Sequence, residues 1–89
     1  MKGIITVLGR DRVGIIAEVC TFLSQRQINI LDISQTIVQG FFSMLMIVEM
    51  GPAGAQFEQC AKDLQAMGAA MELEIKLQRE DIFEAMHRI

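Results

Sequence analysis

The chain has 89 residues, enough for a single domain, and folding at this size removes only about 60–65% of the unfolded chain's surface from water. It is 52% hydrophobic with one proline, yet no apolar run approaches the ~18 residues of a membrane span, and with Lys2 interrupting the N-terminal stretch no signal peptide is read; the apolar surplus is to be buried against protein, and the expected compartment is the cytoplasm. A formal charge of -3, with neither Trp nor Tyr, argues against a nucleic-acid surface, which presents a basic stripe and stacking aromatics.

Ile4, Ile5, Val7 and Leu8 form a short β-branched run ended by Gly9, suited to a strand buried on both faces. From Val13 onward Ile16, Val19, Cys20 and Leu23 recur at helical spacing, with Glu18, Gln25 and Arg26 in polar positions, which predicts an amphipathic helix to about Gln27. Asn29 to Val38 (NILDISQTIV) places Leu31, Ile33 and Ile37 on one parity and Asp32, Ser34 and Thr36 on the other, a half-buried strand. Gln39 and Gly40 turn the chain into Phe41 to Met50 (FFSMLMIVEM), apolar on both parities, so the two strands pair as a hairpin. The GPAG run at Gly51 to Gly54 ends it.

Phe57, Cys60, Ala61, Leu64 and Met67 predict a second helix, with Gly68 in the position of a C-terminal glycine. Met71, Leu73, Ile75 and Leu77 then alternate with Glu72, Glu74, Lys76 and Gln78, which describes a strand with one dry and one wet face at a sheet edge. Beyond a domain spanning residues 1–78, the segment 79–89 reads as a short amphipathic helix with Ile82, Phe83, Met86 and Ile89 on one side.

The order is α+β: a ferredoxin-like βαββαβ sandwich, an antiparallel four-stranded sheet with two helices on one face, plus the short C-terminal helix. The other sheet face lacks a cover. It is expected to carry Met and branched aliphatic side chains, shielded by a second subunit, the C-terminal helix, or both. Met44, Met46 and Met50 read as adaptable packing at a core or subunit contact rather than as a soft-metal surface.

Between the first strand and first helix stands GRDRVG, a pair of glycines around two arginines and an aspartate. A Walker-type phosphate loop needs Lys and Ser or Thr directly after its second glycine, where Ile15 and Ile16 stand instead. Unpaired N–H groups at a helix start favour an anion, a carboxylate as well as a phosphate, and Asp11 can accept hydrogen bonds from an ammonium group. Together they make a cradle for a zwitterion. The structural alternative is that Asp11 caps the helix, the glycines serve the turn and close packing, and both arginines are solvated. Asn29 is either a turn residue ahead of its strand or a ligand contact near the first loop.

LGRDRVGIIAEV, followed after the first helix by QINILDISQ, resembles the ACT domain, a small regulatory module marked by an aspartate-x-proline-glycine turn, a helix, and Asn-Ile opening the second strand. The terminal LQREDIFEAMHRI, with NILDISQT, more specifically resembles the stand-alone single-ACT proteins of the UPF0237 group. The resemblance spans nearly the whole chain and implies the same βαββαβ order. It further implies an amino-acid ligand held between two ACT modules by Gly9, Arg10, Asp11, Arg12, Val13, Gly14 and Ile15 of the first loop and by Asn29 of the second strand. Val13 departs from the pattern, standing where proline is usual, so the backbone torsion there is less fixed.

No catalytic set emerges. His87 is the only histidine, and neither a cysteine–histidine nor a serine–histidine pair is supported. Cys20 and Cys60 lack CxxC spacing and read as buried free thiols, and Glu72 with Glu74 reads as a solvated strand face, so neither a metal nor a cofactor is expected. The sequence therefore describes a homodimeric regulatory module that senses a small molecule, an amino acid in the first instance. Alternatives are a ligand-free module that binds a protein target and, more weakly, a small hydrolase.

Overall fold

The structure, a computed structural model, describes residues 1–81. In chain order it contains β1 (Lys2–Arg10), α1 (Ile15–Gln25), β2 (Asn29–Val38), β3 (Phe41–Glu49), α2 (Phe57–Ala70) and β4 (Leu73–Arg79), with a 3₁₀ turn over Gly51–Gln56 leading into α2. The strands form one antiparallel sheet ordered β2-β3-β1-β4. This is the ferredoxin-like arrangement. The C-terminal helix expected over 79–89 begins on Arg79, which instead closes β4, and its apolar positions lie outside the described residues.

Directly opposed residues of an antiparallel pair share a face, so the register assigns the core. Ile5 stands between Met46 and Leu77, and Val7 between Met44 and Ile75. Val19, Phe22 and Leu23 of α1 and Cys60 and Leu64 of α2 close over this face to make one apolar core. Met44, Met46 and Met50 all belong to it. The expectation that methionines furnish the second sheet face is thus corrected: their parity is that of Val7 and Ile5, and the second face carries Ile4, Leu8, Leu45 and Ile47 instead.

β2 departs from the half-buried strand expected of it. Every residue except Ile30 is exposed, including Leu31 at 47%, Ile33 at 44% and Ile37 at 52%. The strand is an outer one with a single neighbour, and a bulge interrupts its register: Ile30 faces Val48 and Asp32 faces Ile47, leaving Leu31 between them. Past the bulge Ile33 and Ile37 take the helix-side face opposite Met46 and Phe42. The hairpin turn itself is as read, with Gln39 and Gly40 both at positive φ (51° and 81°), the geometry that matches the strand twist in a two-residue turn.

Gly68 is not a helix cap. It lies inside α2, which ends at Ala70 with Met71 as its cap, and a Cβ there would sit 2.7 Å from Ile75 Cγ1 and 3.0 Å from the Leu73 carbonyl oxygen. The glycine lets α2 approach β4 closely.

Both cysteines are free, Cys60 buried and Cys20 half-buried. Burial pushes the Cys60 thiol above its ordinary pKa, Arg26 works against that rise, and Asp63 adds to it. The folded chain therefore keeps this proton while the unfolded chain loses it, so the contribution is intact at neutral pH and stability falls from about pH 8.5 upward. A thiol reagent is expected to label Cys20 in the native protein and Cys60 only at the unfolding rate, a difference that mass spectrometry of the labelled peptides reads directly.

Candidate ligand site

At the end of β1 the register sets Arg10 beside Phe41 and Phe41 beside Val38. The loop that follows is fastened to the β2–β3 hairpin tip. The Asp11 backbone N–H donates to the Gly40 carbonyl at 2.8 Å, and the Arg10 guanidinium lies 5.5 Å from the centre of the Phe41 ring. Gly40 and Phe41 were legible in the sequence only as turn and strand; their part in holding this loop follows from the end of β1 pairing with the start of β3, beside the β2–β3 turn.

α1 starts on Gly14, which adopts the left-handed conformation (φ 95°) and receives no side-chain cap. Its carbonyl accepts from the Glu18 N–H at 2.9 Å. The reading of Asp11 as the helix cap therefore fails, because the helix begins three residues later on a conformation that glycine holds without a Cβ clash. Gly9 has a packing role of its own: a Cβ there would lie 2.5 Å from Leu73 Cδ2 and 3.2 Å from the Glu72 carbonyl oxygen. Arg10, Asp11, Arg12 and Val13 are exposed, Val13 at 95%, whereas the Ile15 side chain is buried in the core and offers the loop only its backbone. The loop thus presents two guanidinium groups, one carboxylate and the unpaired N–H groups of the first turn of α1 to solvent.

Asn29 lies elsewhere. It pairs with Glu49, which pairs with Lys2, so it is level with the start of β1 and about 25 Å along the strands from Arg10 at ~3.3 Å per residue. The crossover through α1 makes β1 and β2 parallel, which puts the end of one and the start of the other at opposite ends of the sheet. One chain does not bring Asn29 to the loop.

The pattern of loop, helix and Asn-Ile strand start now has an independent match: the ACT domain family model covers residues 3–78. The chain belongs to the ACT domain family. A UPF0237 protein of Bifidobacterium longum is 52% identical over 99% of this chain and 98% of its own length. An ACT domain protein from Streptococcus pneumoniae has the same fold at a TM-score of 0.83, with 37% identity and 98% of each chain covered. The regulatory subunit of aspartate kinase from Thermus thermophilus shares the fold at a TM-score of 0.61, with 22% identity over 89% of this chain and 51% of that one. ACT domains are regulatory modules that bind small molecules.

In this ACT domain the loop surface is open rather than enclosed, and the clefts formed by other segments have their own chemistry. One of about 340 Å³ lies where α1 ends against the 3₁₀ turn and α2, lined by Arg26, Gln56, Gln59, Cys60 and Asp63 among others. There Arg26 stacks on Phe22 at 3.6 Å and pairs with Asp63 at 3.4 Å, while Gln59 donates to Asp63 at 2.9 Å. Sequence reasoning missed this cluster because its members come from two helices far apart in the chain. Its charges satisfy one another, which marks it as a clasp between helices. Among the described residues no group of three His, Cys, Asp or Glu side chains is placed to hold a metal ion, and no helix is long and apolar enough to cross a membrane.

Proposed function

We propose that this ACT domain is a cytoplasmic, non-enzymatic regulatory module that works as a homodimer and binds an amino acid at the first loop. The observation that carries this reading is the separation of the two segments the family uses for its ligand. Arg10 to Gly14 and Asn29 lie at opposite ends of one sheet, joined by β2, a ten-residue outer strand whose only charge is Asp32. Unpaired strand edges are templates for pairing, and the opposite edge of this sheet, β4, is blunted by Glu74, Lys76 and Arg79. Seven exposed apolar residues gather near the β2 edge and the start of α1: Val13, Ile16, Leu31, Ile33, Ile37, Val38 and Phe41.

A second copy running antiparallel along β2 brings its own Asn29 level with the first copy's Val38, Phe41 and Arg10. Each dimer then has two sites, each built from one chain's loop and the other chain's Asn29. The helix-start N–H groups and the arginines suit the ligand carboxylate, and Asp11 suits its ammonium group. Binding regulates when the dimer, or its contact with a target, differs in ligand affinity between two states.

A thermal-shift series over the twenty amino acids tests the reading. A ligand at 100 times its Kd adds about 2.7 kcal/mol, a shift of several degrees at this size. Asp11→Ala is expected to abolish that shift while leaving the unliganded Tm within a degree or two, since the Asp11 side chain caps nothing. The second reading, a ligand-free module that binds a protein partner, is favoured by Val13, which stands at the proline position and is 95% exposed. Absence of any shift at millimolar amino acid favours that reading.

A further inference from the structure

β2 carries its one acid beside the break in its ladder. The bulge falls between Ile30 and Asp32, and past it Asp32 faces Ile47 and Ile33 faces Met46. The Ile33 backbone N–H donates to the Asp32 carboxylate at 2.8 Å. Backbone groups in an antiparallel pair alternate between pointing at the neighbouring strand and pointing away from it. Ile33 gives its N–H to the side chain before it rather than to β3, so this donor points to the outer edge of the sheet and the Asp32 carboxylate fills it there.

That donor lies in the middle of the strand. β2 runs from Asn29 to Val38, and a two-fold axis that pairs two copies antiparallel along it passes close to Ile33 and Ser34. The Asp32 carboxylates of the two copies then lie on the order of 8–10 Å apart, about two residues along and one strand across, comparable to the screening length of ordinary salt. β2 offers neither charge a basic partner, since the polar residues that follow, Ser34, Gln35 and Thr36, are neutral. A bulge and a charged side chain at the edge are both devices that keep outer strands from pairing.

We propose that Asp32 is a brake on self-association along β2: its carboxylate fills a backbone donor that a second copy needs and sets a like charge against that copy. The proposal rests on the β2 pairing inferred above and adds what limits it. Two copies join only when both carboxylates leave their Ile33 N–H groups, so the contact is weak and reversible.

The test is sedimentation of the full chain over a concentration series, with Asp32→Asn, which removes the charge, and Asp32→Ala, which removes the charge and the acceptor. Asp32 is exposed, and circular dichroism checks the fold of each variant. Both substitutions are expected to tighten the dimer by roughly tenfold or more, and adding Ile33→Lys with Ile37→Lys is expected to abolish the gain. An unchanged or weakened dimer in either Asp32 variant, still disrupted by the two lysines, overturns the brake and leaves the β2 pairing standing. A gain that survives the lysines places the effect away from β2 and also overturns the brake. If every chain, Asp32→Ala included, stays monomeric at millimolar concentration, the β2 pairing is overturned and the brake with it.

Discussion

Gly68→Ala is expected to lower the stability of the chain by about 1–3 kcal/mol, a Tm loss on the order of 5–20 °C. Two effects oppose each other at this position. In an ordinary helix interior, exchanging glycine for alanine stabilises by roughly 0.5–1 kcal/mol through the entropy of the unfolded backbone. Here the added methyl would meet Ile75 Cγ1 at 2.7 Å and the Leu73 carbonyl oxygen at 3.0 Å. Ile75 is 1% exposed, and Leu73 is held in the ladder opposite Gly9, so neither can withdraw without disturbing the core or β4. The steric term wins. Gly68→Val enlarges the loss, and a thermal melt of both variants fixes the sign: a raised Tm for Gly68→Ala would show that α2 can move off β4.

If the proposed dimer pairs along β2, Ile33→Lys together with Ile37→Lys is expected to leave a monomer and to remove the proposed ligand response with it. Both side chains are about half exposed in the single chain, so the monomer itself should lose little. Pairing along β2 would bury what remains of four isoleucines per dimer, on the order of 1 kcal/mol each. Their loss, about 4 kcal/mol in total, weakens the dimer roughly a thousandfold, and lysine on an edge strand also repels a second copy. Sedimentation at micromolar concentration reads the change in mass, and circular dichroism confirms that the fold persists. Loss of the dimer with ligand response intact would place the site within one chain.

The fold was readable from the sequence because most of its elements bury one face against the core and therefore show the period of that face. β4 announces itself by alternation from Met71 to Gln78, and α2 by the recurrence of Cys60, Leu64 and Met67. β2 shows why such reading has a boundary: NILDISQTIV has the same alternation whether its apolar side meets a helix layer or a second chain. The bulge at Leu31 leaves no mark in composition, and a glycine near a helix end looks alike whether it caps the helix or lets a strand approach. For the candidate site, only the placing of its segments could be compared with the sequence. The loop could be recognised from its glycines and charges, but the position of Asn29 depends on the parallel course of β1 and β2, a property of the crossover rather than of either segment.

The composite site is tested most directly by complementation between two defective chains. Asp11→Ala and Asn29→Ala variants are prepared separately, then mixed and allowed to exchange subunits, and amino-acid binding is measured by calorimetry. Each variant alone is expected to bind nothing. In the mixed dimer one site inherits both defects and the other inherits neither, so the account predicts that binding returns at one site per mixed dimer. If the loop and Asn29 served the same site within one chain, every site in the mixture would carry a defect, and the absence of any recovered binding would contradict the account.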